Sequence, residues 1–269
     1  MLRVNNLSGF GRIIPAAGGF DSDAQAFFTA TSISDSTIQD AIDALVVGLK
    51  ADSIWTKCSA IYPFVGGSSS THAVNLKSPG THDITWNGTV THNANGITGN
   101  GSTGYGDTGL NLSSVLSNAN VHYSIYSRTS GAANLYDMGA RGGATSDYTL
   151  MLRQGDNTVY GPAGNQGTFI SYNNSAGASG FYVITRRSTT ELEFYKNGSS
   201  VQTVTTSDTG TVPSRNVYIS ARNNAGTADN FSSRNIAFVS IGPALSDTEA
   251  GNFNTRVETF QDALSRGVV

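Results

Sequence analysis

Short runs of alternating apolar and polar residues, separated by clusters of Gly, Ser, Asn and Asp, fill the chain from residue 53 to about residue 243. Successive side chains of a strand point to opposite faces, so these runs are typical of β-strands. Their spacing is that of an all-β sandwich or barrel. The predicted strands are 121–127, 148–153, 168–172, 181–187, 191–196, 200–206, 216–221 and 235–241.

The most specific local signal is the dipeptide Asn197-Gly198, which lies between two of these runs. A two-residue type I′ turn requires a positive φ at both of its residues, and Asn and Gly tolerate that conformation best. The sequence therefore predicts a tight hairpin at this position.

Helical spacing occurs on both sides of the β region. Ser36 and Gln39 match a capping box at the start of one predicted helix. Ser246 and Glu249 match a second capping box, and Gly267 suits a helix stop. The apolar residues of this C-terminal helix share one face and predict that it packs on an edge or an open end of the sandwich; they are Phe253, Val257, Phe260 and Leu264.

The chain therefore divides into three predicted parts. Residues 1–52 form an N-terminal arm and helix for assembly or anchoring, residues 53–243 form the β-sandwich, and residues 244–269 form the C-terminal helix packed on it. The apolar residues of the first part are the candidate assembly residues, because their burial on assembly would stabilise a complex. They are Phe10, Ile13 and Ile14 in the arm, and Ile38, Ile42, Leu45 and Leu49 in the helix.

From about residue 55 to residue 266, the chain resembles the concanavalin A-like (laminin-G-like) jelly-roll domains of phage structural proteins. The stretches that carry this resemblance are IYPFVGG at 61–67, HAVNLK at 72–77, NGSTGYGDT at 100–108, FYKNG at 194–198, AFVSIG at 237–242 and LSDTE at 245–249. The resemblance implies an all-β, concanavalin A-like jelly-roll β-sandwich and a place in a virus particle. None of these stretches is a catalytic signature.

Composition limits the partners. Charged residues make up 13% of the chain, against about 25% in an ordinary soluble domain, and the net charge is −3 without runs of Lys or Arg. A nucleic-acid partner is not expected, because phosphate binding requires clustered cations. A membrane partner is not expected either, since no apolar stretch approaches about 18 residues. The first residues lack an apolar leader, which predicts synthesis in the host cytoplasm.

Catalytic chemistry has one weak candidate. Glu191 and Glu193 would lie on one strand face, as the paired carboxylates of glycoside hydrolases do. The third acidic position of that pattern is Tyr195, so we predict no enzymatic activity.

Metal and cofactor sites are not predicted. The four histidines are dispersed in the sequence, whereas zinc ligands are closely spaced. No Asp-x-Asp-x-Asp loop occurs, although a rim calcium site built from loop Asp residues stays an alternative. We therefore predict no catalytic, cofactor-binding or metal-binding residues.

Two functions fit these observations. The first is a phage virion structural protein, a capsid decoration, minor capsid or tail component that forms homo-oligomers and assembles with other virion proteins. The second is the glycan-binding receptor-recognition module of a tail fibre, with a host or mucus glycan as partner. For this second function, five tyrosines lie beside Asn, Asp or Gln and could stack on sugars: Tyr105, Tyr136, Tyr148, Tyr160 and Tyr172. Each fits equally a core or rim residue whose hydroxyl is in water, so no sugar-binding residue is predicted.

Overall fold

The computed structural model describes residues 19–269. Two β-sheets face each other across a hydrophobic core and form a jelly-roll β-sandwich, as the sequence predicts. Helices pack on the outer face of one sheet and enclose a second hydrophobic core there. The sandwich therefore has a third, helical layer on one side.

The helix-covered sheet has eight strands. Seven lie in the order β13-β12-β11-β6-β17-β4-β3, and β1 pairs with β17. Their bounds are β1 Ala60–Tyr62, β3 Val90–Asn93, β4 Gly96–Gly99, β6 Val121–Ser127, β11 Gly180–Ser188, β12 Glu191–Lys196, β13 Ser199–Val204 and β17 Asn235–Gly242.

The opposite sheet has nine strands. Seven lie in the order β10-β9-β8-β7-β14-β5-β2, and the hairpin β15–β16 joins through a parallel pairing of β15 with β7. Their bounds are β2 Thr85–Asn87, β5 Tyr105–Asn111, β7 Met138–Gly143, β8 Ser146–Leu150, β9 Gly161–Gly164, β10 Phe169–Ile170, β14 Asn216–Ile219, β15 Arg222–Asn224 and β16 Thr227–Asp229.

The helices are α1 Ser22–Thr31, α2 Ser36–Ala51, α3 Ser69–Ala73, α4 Leu112–Val115 and α5 Asp247–Ala263, with a 3-10 turn at Trp55–Lys57. None of the described helices is long and apolar enough to cross a membrane.

The predicted hairpin is confirmed. Lys196 pairs with Ser199, and the two turn residues between them have φ values of 50° at Asn197 and 76° at Gly198. Both values lie in the left-handed region that a type I′ turn requires.

The capping box of the C-terminal helix is confirmed as well, since Ser246 accepts a hydrogen bond from the N–H of Glu249 and Glu249 caps in return. The helix packs on the sandwich, but the predicted edge or open end is wrong. Helix α5 lies on the face of the eight-stranded sheet rather than at an edge, because Phe253 packs against Phe181 and Phe238. The helix ends at Ala263 rather than at Gly267, with Ser265 in the left-handed conformation.

Helix α2 corrects two further predictions. Its N-cap is Asp35 rather than Ser36, because the Asp35 carboxylate accepts the N–H of Ile38. Three of the candidate assembly residues are already covered by the chain itself: Ile42, Leu45 and Leu49 are at most 2% exposed, in the core between the helices and the eight-stranded sheet. A second subunit cannot bury them again without unfolding this layer.

Of the other candidate assembly residues, Ile38 is partly buried at the margin of that same core. Phe10, Ile13 and Ile14 lie outside the described residues, and their assembly role stays a prediction. Residues 19–52 thus belong to the helical layer.

Candidate functional site

The two outer faces of the sandwich differ. Helices α1, α2 and α5 contribute to the core on the outer face of the eight-stranded sheet, whereas residues 19–269 form no such core on the outer face of the nine-stranded sheet. Side chains alternate along a strand, so the residues that point into the core show which of their neighbours point to this helix-free outer face. In β7, Met138 and Ala140 point into the sandwich core, so Gly139 and Arg141 lie on the outer face.

Two aromatic residues that are only 7% and 8% exposed, Tyr136 and Tyr218, and four that are partly exposed lie across this outer face, and we call the six the aromatic belt. They are Phe169, Tyr160, Tyr136, Phe231, Tyr105 and Tyr218. Ring centroids are 5.0 Å apart for Phe169 and Tyr160, and 6.3 Å apart for Tyr160 and Tyr136. The backbones of Tyr136 and Phe231 form a bridge. Phe231 and Tyr105 are 6.0 Å apart, and Tyr105 and Tyr218 are 4.6 Å apart.

An arginine holds the centre of the belt. The Arg222 guanidinium lies 4.2 Å from the ring centroid of Tyr136 and donates a hydrogen bond of 2.9 Å to its hydroxyl. Two further hydrogen bonds, of 2.8 and 2.7 Å, join Arg222 to both carboxylate oxygens of Asp229. A bidentate pair of this kind fixes the plane of the guanidinium group. The Tyr136 ring is therefore held in one orientation.

A second arginine, Arg141, pairs with a buried carboxylate under the belt. Asp147 is fully buried, and its Oδ2 lies 3.4 Å from Nε of Arg141 and accepts a hydrogen bond of 2.6 Å from Gln166. Burial raises the pKa of the Asp147 carboxyl, while its hydrogen bonds and Arg141 oppose that rise. Arg141 also donates to Asn224 at 2.9 Å. The belt thus rests on a polar network whose members hold one another in place.

Of the five tyrosines considered for sugar stacking, three lie in the belt: Tyr105, Tyr136 and Tyr160. The other two do not. Tyr148 is 2% exposed between the sheets, where its hydroxyl donates to Asn118, and Tyr172 packs against Phe194 beside the same core. The sequence analysis missed Phe169, Tyr218 and Phe231. The first two fall in predicted strands, and alternation from buried neighbours such as Ile170 and Val217 would have placed them on the outer face.

The candidate catalytic pair lies elsewhere, on the outer face of the eight-stranded sheet at the start of α5. Arg187 binds Glu191 at 2.5 Å and Glu193 at 2.9 Å. Asp247 joins the same guanidinium at 2.5 Å and accepts a hydrogen bond of 2.7 Å from Tyr195. Both glutamates are therefore bound to one cation, in an arrangement that anchors α5 to the sheet.

Two histidines that the sequence analysis described as dispersed are in contact. Nδ1 of His72 lies 3.1 Å from Nδ1 of His92, and Nε2 of His72 accepts the N–H of Gly67. Burial, together with the nearby His92 and Arg266, lowers the pKa of His72 to about 3. No third His, Cys, Asp or Glu completes a metal-ligand group with them, or anywhere else in residues 19–269.

A groove of about 640 Å³ opens between the α1–α2 loop, the segment 65–71 and the end of α5. Its walls mix hydroxyl groups with the apolar side chains of Ile33, Ile38, Val65 and Leu264. No arginine–aspartate pair like those beside the belt lines this groove. Its one lining carboxylate, Asp35, caps α2.

The sequence matches no protein-family model and no curated protein. The fold is similar to that of domain 4 of an extracellular arabinanase from Geobacillus stearothermophilus, solved in complex with arabinotriose, with a TM-score of 0.50 and 16% identity over 73% of this chain and 98% of that one. It is also similar to the receptor binding domain of a botulinum neurotoxin C/D mosaic serotype, with a TM-score of 0.55 and 13% identity over 75% of this chain and 52% of that one.

A third similar structure, with a TM-score of 0.54, belongs to work on botulinum neurotoxin type C, whose cell entry depends on interaction with two ganglioside molecules; identity is 12% over 77% of this chain and 53% of that one. This chain thus spans about half the length of the neurotoxin chains. At these identities the similarity establishes the β-sandwich fold.

Proposed function

We propose that this chain is a glycan-binding module and that the aromatic belt is its binding face. The observation that carries the proposal is the belt itself: four partly exposed rings and two buried ones on a sheet face that no described helix covers, with two arginines and two carboxylates held beside them. Aromatic faces and fixed hydrogen-bonding groups are what a sugar ring requires, because one side of the ring is apolar and its edge carries hydroxyls.

The ligands named for two of the similar structures support the proposal. One was solved with arabinotriose bound, and another is described by its interaction with gangliosides. The same fold can carry unrelated functions, so the argument depends on the belt rather than on the fold.

A glycan array with the purified protein tests the proposal. We expect binding to a defined subset of glycans, and at least a tenfold loss of affinity when Tyr160 and Phe169 are both replaced by Ala, because each ring supplies about 1 kcal/mol or more of contact. Phe20→Ala is the matched control, since Phe20 packs against Phe28 in the helical layer. Binding that survives the double substitution, or no binding to any glycan, contradicts the proposal.

We propose further that the module works on a phage particle, with other virion proteins as partners. The resemblance of its sequence stretches to phage structural proteins and its low content of charged residues, 13%, support this location. Large exposed apolar side chains are few in the described residues, namely Val47, Val115 and Val269. An apolar attachment surface would therefore have to come from residues 1–18, where Phe10, Ile13 and Ile14 lie.

Deletion of residues 1–18 tests this second proposal. The truncated protein should keep its fold, since the cores of residues 19–269 are closed without that segment, and should no longer join particles. Immunogold labelling of purified particles provides the readout. Label spread over the head would make it a decoration or shell protein, label at the tail tip a fibre component, and no label on any particle would refute the virion location.

A further inference from the structure

We infer that the aromatic belt selects uncharged oligosaccharides several sugar units long and discriminates against sialylated or uronate-containing chains. This inference rests on the proposed glycan-binding function and adds the chemical class of the ligand. Three observations support this inference. Both arginines of the face already interact with side chains of the protein, carboxylates outnumber arginines there, and the aromatic rings form a long row.

The guanidinium groups are not free to bind a ligand carboxylate. Arg222 uses Nε and Nη2 for Asp229 and Nη1 for the Tyr136 hydroxyl. A bidentate bond to a carboxylate requires one whole edge of the guanidinium; Asp229 occupies the Nε–Nη2 edge, and the Tyr136 hydroxyl already uses Nη1 on the other edge. A sialic acid would have to displace Asp229, or compete with the Tyr136 hydroxyl for Nη1, before it could form a bidentate pair with Arg222.

Arg141 is occupied in a similar way. Its Nη1 donates to Asn224 at 2.9 Å and its Nη2 to Gln166 at 3.4 Å, while Nε is buried 3.4 Å from Asp147 without forming a hydrogen bond. Because Asp147 is fully buried, its charge depends on this neighbour. Diverting Arg141 to a ligand would leave that carboxylate less compensated, at a cost in free energy.

Formal charge on the face favours the same conclusion. A third carboxylate, Asp107, pairs in register with Tyr218 and accepts hydrogen bonds from Asn216 and Gly109. Three carboxylates and two guanidiniums therefore surround the rings. A ligand carboxylate would add to this negative excess, and like charges disfavour one another at short range. Hydroxyl groups of a neutral sugar meet no such penalty.

The row of rings sets the ligand's length. It begins in β10 with Phe169 and reaches β5 with Tyr105, so it spans six strands and five inter-strand spacings. With about 4.8 Å between neighbouring strands, the row is about 24 Å long. Four of its rings, those of Phe169, Tyr160, Phe231 and Tyr105, are partly exposed and can contact sugar units along this length, whereas Tyr136 and Tyr218, 7% and 8% exposed, supply little contact area.

Calorimetric titrations with two matched series of ligands test the inference. The neutral series consists of arabino-, xylo- and cello-oligosaccharides of one to six units, and the acidic series consists of the same chains ending in a uronic acid, with sialylated glycans added from the array. We expect affinity to rise with length up to at least four units, at least tenfold weaker binding of each acidic counterpart, and little dependence on salt.

Asp229→Asn provides the sharpest variant, because it removes one negative charge and releases an edge of Arg222. It should improve binding of the acidic series at least tenfold relative to the parent, with melting temperature checked in parallel. Asp40→Asn, on the exposed side of α2, is the matched control and should change neither series. If Asp229→Asn does not fold, the comparison of the two series in the parent protein still decides.

Tighter binding of acidic than of neutral chains by the parent protein would overturn this inference and leave the glycan-binding function intact. Equal affinity for single sugars and for six-unit chains would overturn the predicted length. Absence of binding to every glycan would instead refute the proposed function, and with it this inference.

Discussion

Single residues set the protein's response to acid. His72 is 1% exposed and His122 is fully buried, where its Nδ1 lies 2.6 Å from the carbonyl oxygen of Pro243. Burial lowers the pKa of His122 to about 4, and burial together with His92 and Arg266 lowers that of His72 to about 3. Both imidazoles are therefore neutral in the folded protein at pH values where an exposed histidine is protonated.

We predict that the protein loses stability as the pH falls below 6.5. The unfolded chain binds protons at these two histidines from about pH 6.5 downward, whereas the folded chain does not until about pH 4 and pH 3, so the free energy of unfolding decreases throughout that window. At pH 5, the loss is on the order of 2 kcal/mol for each imidazole. Urea unfolding at pH 7.5 and pH 5.0 measures it.

Buried carboxyls such as Asp137 and Asp147, whose pKa values burial raises, oppose this trend in the parent protein. The difference between the parent and His122→Gln removes their contribution, because both proteins contain them. Between pH 7.5 and pH 5.0, the free energy of unfolding should fall less in His122→Gln than in the parent, and the difference should equal the contribution of one imidazole. An equal loss in both proteins would show that His122 does not contribute.

At the scale of elements, two glycines should differ in their effect on stability. The β12–β13 hairpin requires Gly198 in its turn, whereas α5 does not require Gly251. Gly198 has a φ of 76°, and a Cβ there would lie 3.1 Å from Asn254. Gly251 is helical, and the nearest heavy atom to an added Cβ is 3.9 Å away. The same substitution should therefore have opposite effects at the two positions.

We predict that Gly198→Ala lowers the free energy of unfolding by about 1–2 kcal/mol, because a side chain disfavours the left-handed conformation. Gly251→Ala should raise it by about 0.5–1 kcal/mol, because alanine stabilises helix interiors relative to glycine. Urea unfolding of both variants beside the parent gives the two values. Destabilisation by Gly251→Ala would mean that α5 is packed more tightly at this point than the structure has it.

Helix α2 provides a second test at this scale. Ile42 is fully buried between the helices and the eight-stranded sheet, whereas Val47 on the same helix is 49% exposed. Ile42→Ala should lower the free energy of unfolding by about 2–5 kcal/mol, through lost burial and the cavity that remains. Val47→Ala, the matched control, should change it by less than about 0.5 kcal/mol.

If Ile42 served assembly rather than folding, its substitution would leave the isolated protein as stable as the parent and change only its association. Melting curves and sedimentation of the two variants separate these outcomes.

At the scale of the whole molecule, the sequence predicts the sandwich well, because strand alternation and the Asn197-Gly198 turn are local signals. All eight predicted strands correspond to strands of the structure. Most of those it missed are short or rich in glycine, such as Ala60–Tyr62 and Gly161–Gly164, and carry too few residues for a period of two to be recognised. The order of strands in each sheet was not predictable from local patterns.

Strand order also explains why the sequence did not predict the aromatic belt. Tyr105 and Tyr218 are more than a hundred residues apart in the chain, yet β5 and β14 are neighbours in the sheet. His72 and His92 meet for the same reason, through folding rather than through sequence spacing. The helical layer was misjudged because an apolar stripe looks the same whether a sheet of its own chain or another subunit covers it.

Nuclear magnetic resonance mapping of a bound glycan would show directly whether the aromatic belt is the binding face. The protein would be titrated with the neutral oligosaccharide that binds most tightly in the array, and the shifted backbone amides would be placed on the structure. We predict shifts at the aromatic belt, at Tyr105, Tyr160 and Phe169 above all, and none at the outer surface of α2 and α5. Shifts confined to the groove beside Ile38 and Leu264, or to the helical layer, would contradict this prediction.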